Sequence, residues 1–361
     1  PRITTQKTFK ANTWNIIFNI KLGPAVHIKK VNLSIIGAGA NTKPYIRYKK
    51  TLTLKPGQTF NSEEYKAVKN GLFDLAAEYG YFKAKMLHSE ARIILEQHSA
   101  IINIKFATGP RYQFGKTTFS PSYISKKLLE RYPTYKPSDQ YRNSKIQTLQ
   151  KNLSDSGYFT LSNTATRFNE AKNNKVPIEV SLTDAKRYRY IFGGGYGTDT
   201  GLRAIVGVKV RAVNRWGHKF NAETQVSMHR NFISTDYIIP GGQPGTQFWD
   251  LHNVAGAEDF DYIGSVKLLR TGISYQRDIR SWTQILDLSG LFENYKLKNY
   301  PSSNTVTILP SILWKKRHVR PNIAPTHGYN ISAQVSGAPI SIFGYNRFLQ
   351  TNINFKTLNT I

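Results

Sequence analysis

The sequence predicts two small α+β repeats followed by an antiparallel β-sheet of the transmembrane-barrel type, with the barrel incomplete in these 361 residues. Three observations lead to this prediction: a recurring tripeptide, a change from helical to strand periodicity near Tyr188, and the length of the alternating segments after it. We place a remnant of an earlier repeat at 1–24, two repeats at 25–109 and 110–186, and the first part of the barrel, about ten strands, at 187–361.

The tripeptide Gly80-Tyr81-Phe82 recurs as Gly157-Tyr158-Phe159. Each copy follows a helix-like stretch that begins at Asn-Ser, and a Lys-Pro break lies upstream of that stretch in both cases. The shared order is strand, helix, proline break, capped helix and two strands, which indicates one supersecondary unit used twice. The glycine of each tripeptide is predicted to take the left-handed conformation that ends a helix.

Within the first repeat, Val31, Leu33 and Ile35 alternate with polar residues, as in a strand with one buried face. Ser62 is the predicted N-cap of the second helix. The apolar positions of the two capped helices recur at helical spacing and are Tyr65, Val68, Leu72, Leu75 and Ala76 in the first repeat, and Ile146, Leu149 and Leu153 in the second. Residues 14–20 are predicted to be the last strand of the earlier repeat.

From Tyr188 onward, apolar and polar residues alternate with period two, and several runs reach the 9–11 residues of a tilted membrane strand. Every backbone group in lipid must be paired, so such strands imply a closed barrel, and we expect further strands to complete it. A large soluble β-domain is the alternative. The predicted lipid-facing residues are Val206, Val208, Phe220, Val226, Ile331 and Ile353, and the predicted lumen-facing residues are Lys209, Arg211, Glu223, Gln225 and Gln334.

The chain is strongly basic, with a formal charge of +28, and the charge is uneven. Residues 1–190 contain 32 Lys+Arg against 12 Asp+Glu, whereas the remainder contains 18 against 10. Such an excess attracts nucleic acid, lipid phosphates or acidic chains, but the lysines are scattered, which favours a solvated surface over a dedicated anion site. The absence of cysteine excludes a disulfide scaffold, a cysteine nucleophile and thiolate metal sites.

The residue patterns of catalysis are weak. The glycines between 193 and 197 do not have the dinucleotide spacing and lead into a strand instead of a helix. His88 and Glu90 lack the second ligand cluster of a zinc hydrolase. We therefore expect no catalytic residue, no metal site and no cofactor.

Four segments carry a resemblance to a known family, and they lie at 80–84, 108–115, 153–159 and 195–201. In this order they resemble the polypeptide-transport-associated (POTRA) repeats and barrel of the outer-membrane insertase superfamily, and in particular the TamA-like family of the translocation and assembly module. The chain departs from that family in having fewer repeats and strands, and in lacking the Arg-Gly-Phe-type motif of a late barrel loop and the terminal aromatic residue.

The resemblance implies a factor of the bacterial outer membrane, with its repeats in the periplasm, that helps clients such as autotransporters insert and fold. It implies as partners a TamB-like protein anchored in the inner membrane, unfolded client proteins and outer-membrane lipid, and no nucleic acid. The alternatives are a general barrel-assembly subunit and a two-partner secretion transporter. The first barrel strand is the expected lateral gate, formed by Tyr188, Tyr190, Ile191, Phe192, Gly193, Gly194, Gly195 and Gly197. Their glycines also fit a simple bend or close packing in the lumen.

Overall fold

The computed structural model describes residues 2–10, 13–21, 23–198, 201–260, 263–319, 326–338, 341–343 and 347–360. The chain folds into two compact units. One contains Pro1–Lys116, Tyr135–Ile146 and Thr166–Ile178, and the other contains Thr117–Thr134, Gln147–Ala165 and Glu179–Ile361. The division passes through the second repeat, so the domain boundaries stay predictions. Across the described ranges, no helix combines the length and the apolar character needed to cross a membrane.

The N-terminal segment forms an antiparallel hairpin of β1 (Arg2–Lys10) and β2 (Thr13–Lys21). The prediction of a strand at 14–20 is confirmed, and the structure adds β1, which the sequence pattern did not reveal. Pairing places Phe9 opposite Trp14, with their ring centroids 4.9 Å apart. Ile16 and Phe18 extend the same apolar face, and both are exposed.

The first repeat has the predicted order of elements. It consists of β3 (His27–Ile36), α1 (Lys43–Lys50), α2 (Ser62–Tyr79), β4 (Lys85–Ile94) and β5 (Ser99–Ala107). The sheet order is β3-β5-β4, with β5 parallel to β3 and antiparallel to β4. The N-cap of α2 is Asn61, whose side chain accepts from the Glu63 amide at 2.8 Å, so the prediction of Ser62 was wrong by one residue.

The core of the first repeat lies between its two helices and the central strand. Every second residue of β5 is buried, and Ile102 and Phe106 are fully covered. The predicted helix face is confirmed, because Val68, Leu72 and Ala76 are buried and Tyr65 and Leu75 pack beside them. Full burial of a large apolar side chain contributes roughly 1.5–3 kcal/mol, so this face fixes α2 on the sheet.

The second repeat has shorter helices and the same order. Its elements are β6 (Gln113–Phe119), α3 (Lys126–Leu129), α4 (Asn143–Asp155), β7 (Phe159–Thr166) and β8 (Lys175–Asp184), with sheet order β6-β8-β7. Ile146, Leu149 and Leu153 are buried as predicted. Gly80 and Gly157 have φ of 75° and 74°, which confirms the left-handed glycine at the end of each capped helix.

The rest of the chain is one antiparallel sheet of the barrel type. Its strands are β9 (Tyr188–Gly197), β10 (Gly201–Val210), β11 (Lys219–Ser227), β12 (Arg230–Pro240), β13 (Phe248–Phe260), β14 (Gly264–Ile279), β15 (Trp282–Leu297), β16 (Ser303–Val319), β17 (His327–Ala338), β18 (Ser341–Phe343) and β19 (Phe348–Asn359). Neighbours in sequence are neighbours in space from β9 to β17, β19 pairs with β17, and β18 pairs with β16.

The register gives the sheet an apolar face and a polar face. Val208 pairs with Ala222 and Val206 with Thr224, whereas Lys209 pairs with Asn221 on the other side. At the far side of the sheet, Ala333 pairs with Ile353 and Gln334 with Asn352. The predicted division of the strand residues between two faces is therefore confirmed, and the contact of one face with lipid and of the other with a lumen stays a prediction. Arg211 differs, because β10 ends at Val210 and Arg211 lies in the bend after it.

The polar face carries an ion network across three strands. Asp287 of β15 lies 3.3 Å from Nε2 of His252 on β13 and 3.0 Å from Arg270 on β14. Arg270 also donates to the Ser289 hydroxyl at 3.1 Å. The Asp287 carboxylate is largely buried, and a buried charge needs hydrogen-bonding or ionic partners, which His252 and Arg270 provide.

Candidate functional site

The predicted gate strand, β9, forms one end of the sheet. It pairs with β10 through ten residue pairs, from Tyr188 opposite Val210 to Gly197 opposite Gly201. Among the described residues its other edge has no strand partner. An unpaired edge presents a row of free N–H and C=O groups, so it can accept a further strand.

The two faces of β9 differ. Tyr190, Phe192 and Tyr196 point to the apolar face and are 65%, 78% and 74% exposed. Ile191 and the glycines Gly193, Gly195 and Gly197 share the polar face with Lys209. Between residues 193 and 197, the polar face of β9 therefore carries no side chain, whereas the apolar face carries Tyr196.

Packing does not require glycine in the middle of β9. A Cβ at Gly193 would lie 3.6 Å from Cβ of Ile205, and one at Gly194 would lie 3.9 Å from the Arg203 carbonyl oxygen. At Gly195 the nearest atom, at 3.1 Å, is in the flexible Arg203 side chain. The described neighbours thus leave room for alanine. Close packing against the described neighbours therefore does not require glycine at 193–195. A bend and a deliberately weakened strand are the explanations that remain.

Arg187 fixes the start of β9. Its guanidinium donates to the carbonyl oxygens of Ala212 and Val213 at 3.1 and 2.9 Å. It also lies over the ring of Tyr123, 4.8 Å from the centroid. The base of the strand is held by side-chain contacts that its glycine-rich centre lacks.

The second Gly-Tyr-Phe copy contacts the turn between β10 and β11. The Tyr158 hydroxyl donates to the Gly217 carbonyl oxygen. Lys219 donates to the Ser156 carbonyl oxygen at 2.6 Å, and its ammonium lies 4.8 Å from the Tyr158 ring centroid. We call the residues Ser156, Tyr158, Gly217 and Lys219 the second joint. Burial raises the pKa of Tyr158, so its hydroxyl stays a donor.

The loop between β12 and β13 is held by the segment after α3. Arg131 donates to the carbonyl oxygens of Gly241 and Gly242, the latter at 3.3 Å. Gln243 donates in return to the Tyr132 carbonyl oxygen at 2.9 Å. The glycine- and proline-rich sequence of residues 240–245 is typical of a loop, but it gives no sign of this partner.

The first Gly-Tyr-Phe copy forms a contact between the two repeats. The Phe82 ring centroid lies 4.8 Å from that of Tyr141 and 5.4 Å from that of Tyr112, both with edge-to-face geometry. The Tyr112 amide donates to the Gly80 carbonyl oxygen at 2.9 Å. We call the residues Gly80, Phe82, Tyr112 and Tyr141 the first joint. Tyr81 is instead buried in the core of its own repeat.

The sequence singled out His88 and Glu90 as weak candidates for a metal site. His88 lies 3.4 Å from Glu90, which also contacts Arg92, on a surface strand. Within the described ranges, no group of three potential metal ligands is present. The arrangement that does exist is an open strand edge with a fixed base.

Comparison with known proteins supports this architecture. No family model matches the chain. The structure of BamA from Haemophilus ducreyi lacking POTRA domains 1–3 superposes with a TM-score of 0.66 at 16% identity, covering 91% of this chain and 66% of that one. The chain has the fold of this BamA. CdiB from Acinetobacter baumannii gives a TM-score of 0.54 at 11% identity, covering 94% of this chain and 66% of that one.

The chain thus spans 66% of the length of each of these two solved chains. At these identities the likeness concerns the fold. The predicted fold class, POTRA-type α+β repeats followed by an antiparallel barrel sheet, is shared with this BamA. That β9 is the first strand of the barrel and its lateral gate stays a prediction.

Proposed function

We propose that this protein is an outer-membrane assembly factor whose β9 edge opens sideways to receive a strand of a client protein. The observation that carries the proposal is the edge itself. β9 is glycine-rich without a packing requirement, has one edge free of a described partner, and is fixed at its base by Arg187.

The client strand would add to β9 by β-augmentation. Main-chain hydrogen bonds supply the affinity in this mode of recognition, so clients of many sequences can use one edge. Glycine weakens a strand because it packs poorly and loses more entropy on ordering. A closing strand paired with β9 would therefore be displaced more readily than one paired with a β-branched strand.

The finer assignment is a TamA-like role, with autotransporters among the clients. It places the sheet in the outer membrane and the POTRA repeats in the periplasm, where a TamB-like partner anchored in the inner membrane contacts them. The motif resemblance and the BamA-like fold support this assignment. We expect no enzymatic step and no cofactor, because strand addition needs only backbone hydrogen bonds and apolar burial.

Crosslinking tests the proposal. The chain contains no cysteine, so Phe192→Cys introduces a single thiol on the outward face of β9. A client with one cysteine in its last strand is expected to form a disulfide with this thiol during assembly by the full-length protein. The measurement is the yield of the mixed disulfide on non-reducing gels.

The matched control is Leu251→Cys on β13, which shares the outward face and is paired on both edges. The strand at 349–355 would be a poorer control, because it belongs to β19 at the other end of the described sheet. Equal yields at Phe192 and Leu251 would refute lateral entry. Preferential crosslinks at Gln225→Cys, on the polar face, would favour the alternative of secretion through the pore.

A further inference from the structure

The first POTRA repeat and the start of the second form an open pocket of about 460 Å³. Lys43 and Arg47 of α1 line it, together with Arg142. Its apolar lining includes Leu75 and the rings of Tyr48 and Tyr79. We call this site the basic pocket. It contains three cationic side chains, and no carboxylate lines it among the described residues.

These cations lack acidic partners in the part of the chain that the structure describes. Glu78, on the same helix as Leu75 and Tyr79, is turned to the Ser144 amide and hydroxyl, at 3.2 and 2.7 Å. Ion pairs elsewhere on this surface involve other residues, such as Lys66 with Glu63. No described ion pair therefore neutralises the three cations of the basic pocket.

The walls of the basic pocket are held in place before any ligand arrives. The Arg142 guanidinium lies over the Tyr79 ring, 5.4 Å from its centroid, and Arg111 donates to the Tyr79 carbonyl oxygen at 3.3 Å. The Tyr48 hydroxyl donates to the Val68 carbonyl oxygen at 2.9 Å. Fixed side chains lose less entropy on binding, which favours affinity.

We infer that the basic pocket binds an acidic, partly apolar peptide segment of a periplasmic protein. Lys43 and Arg47 are one helical turn apart, about 6 Å along the axis. Alternate side chains of an extended peptide are about 6.6 Å apart, so carboxylates at every second position match the two cations. The apolar lining suits a peptide side chain better than a bare phosphate. The basic pocket shares no residue with β9. The periplasmic origin of the peptide rests on the proposed function, whereas the binding of an acidic peptide does not.

The test uses the full chain in nonionic detergent and a fluorescein-labelled peptide of alternating Glu and Leu. Fluorescence anisotropy measures its affinity, beside a matched peptide with Gln in place of Glu. We expect the Glu peptide alone to bind at low salt. The double variant Arg47→Gln, Arg142→Gln should weaken binding by about tenfold or more, because charge-assisted hydrogen bonds are lost.

Lys49→Gln, Lys50→Gln is the matched control, since it removes two charges from the same helix at residues that do not line the basic pocket. It should lower the affinity much less than the first double variant, because Lys49 and Lys50 attract the peptide only through solvent and make no direct contact inside the basic pocket. Equal losses in both double variants would overturn the inference, as would equal binding of the Glu and Gln peptides. Displacement of the peptide by inorganic phosphate at comparable concentration would also overturn it, and would assign a phosphate site instead.

Discussion

The two Gly-Tyr-Phe copies end equivalent helices yet make different joints. In the first joint, Phe82 packs against the rings of Tyr112 and Tyr141, and the hydrogen bonds among its four residues join backbone groups. In the second joint, a buried phenol and an ammonium group reach carbonyl oxygens of Gly217 and Ser156. One joint depends on apolar contact, and the other depends on directed hydrogen bonds.

This difference teaches how one motif serves two neighbours. The left-handed glycine fixes the position of the two aromatic residues, and the neighbour determines which of them is used. Apolar packing tolerates small shifts because it is not directional, whereas a buried donor needs its acceptor in place. We therefore expect the second joint to be the more sensitive to loss of a single atom, and the first to added volume.

Alanine at the two glycines gives the largest expected contrast. Both have positive φ, which costs an L-residue roughly 1–2 kcal/mol. A Cβ at Gly80 would also lie 2.7 Å from Cβ of Tyr141, whereas no atom lies within 4 Å at Gly157. We expect Gly80→Ala to destabilise by about 2–4 kcal/mol in total and Gly157→Ala by about 1 kcal/mol.

Hydrogen exchange in the full-length protein measures this contrast through the opening free energy of amides near each glycine. Gly80→Ser serves as a second variant of similar size. Equal destabilisation by Gly80→Ala and Gly157→Ala would show that Tyr141 moves away without cost, and the first joint would then not be closely packed.

The second-largest expected loss of stability follows from removing one tyrosine hydroxyl. Tyr158→Phe leaves the buried Gly217 carbonyl oxygen without this donor, which costs roughly 1–3 kcal/mol. Tyr81→Phe, at the same place in the first copy, should change stability by less than about 0.5 kcal/mol, because no described hydrogen bond uses that hydroxyl. Exchange rates of the 214–219 turn report on the first variant, and those of α2 on the second. A larger effect of Tyr81→Phe would contradict the assignment of polar and apolar joints.

Much of the fold follows from local pattern. The order of elements in both repeats, the buried face of α2 and the left-handed glycines could be predicted because each depends on nearby residues. β12 was missed because its alternation is weak: Thr235 lies on the apolar face, and Phe232 and Ile238 lie on the polar one. β1 has the same weakness, with Lys7 on its apolar face opposite Ile16.

Only part of the candidate site could be predicted from the sequence. The glycines of β9 were evident, but whether packing required them depended on Ile205 and Arg203, which lie on the neighbouring strand. The hydrogen bonds that hold the loops of the sheet were not evident from the sequence. Arg131 comes close to Gly241, and Lys219 to Ser156, only after folding. The three cations of the basic pocket come from two repeats, and a charge count cannot place them together.

Acidification gives the smallest contrast, and it should affect only the second joint. His218 lies between Gly217 and Lys219, with Nδ1 2.8 Å from the Tyr237 hydroxyl. Burial lowers the pKa of this imidazole, so the folded state favours the neutral form. As the pH falls below about 6.5, the imidazole takes up a proton in the unfolded chain before it does so in the folded protein. The folded state therefore loses the stability contributed by the neutral imidazole, until the pH has passed below the lowered folded-state pKa.

The first joint contains no histidine, so its exchange rates, corrected for the intrinsic effect of pH, should stay constant between about pH 7.5 and 5.5, because tyrosine does not titrate there. Protection of the 214–219 turn should fall modestly over the same interval, since the imidazole is partly exposed. His218→Gln keeps a hydrogen-bonding group beside Tyr237 and should abolish the fall. If protection of the 214–219 turn falls equally in the His218→Gln variant, another titratable group controls the second joint.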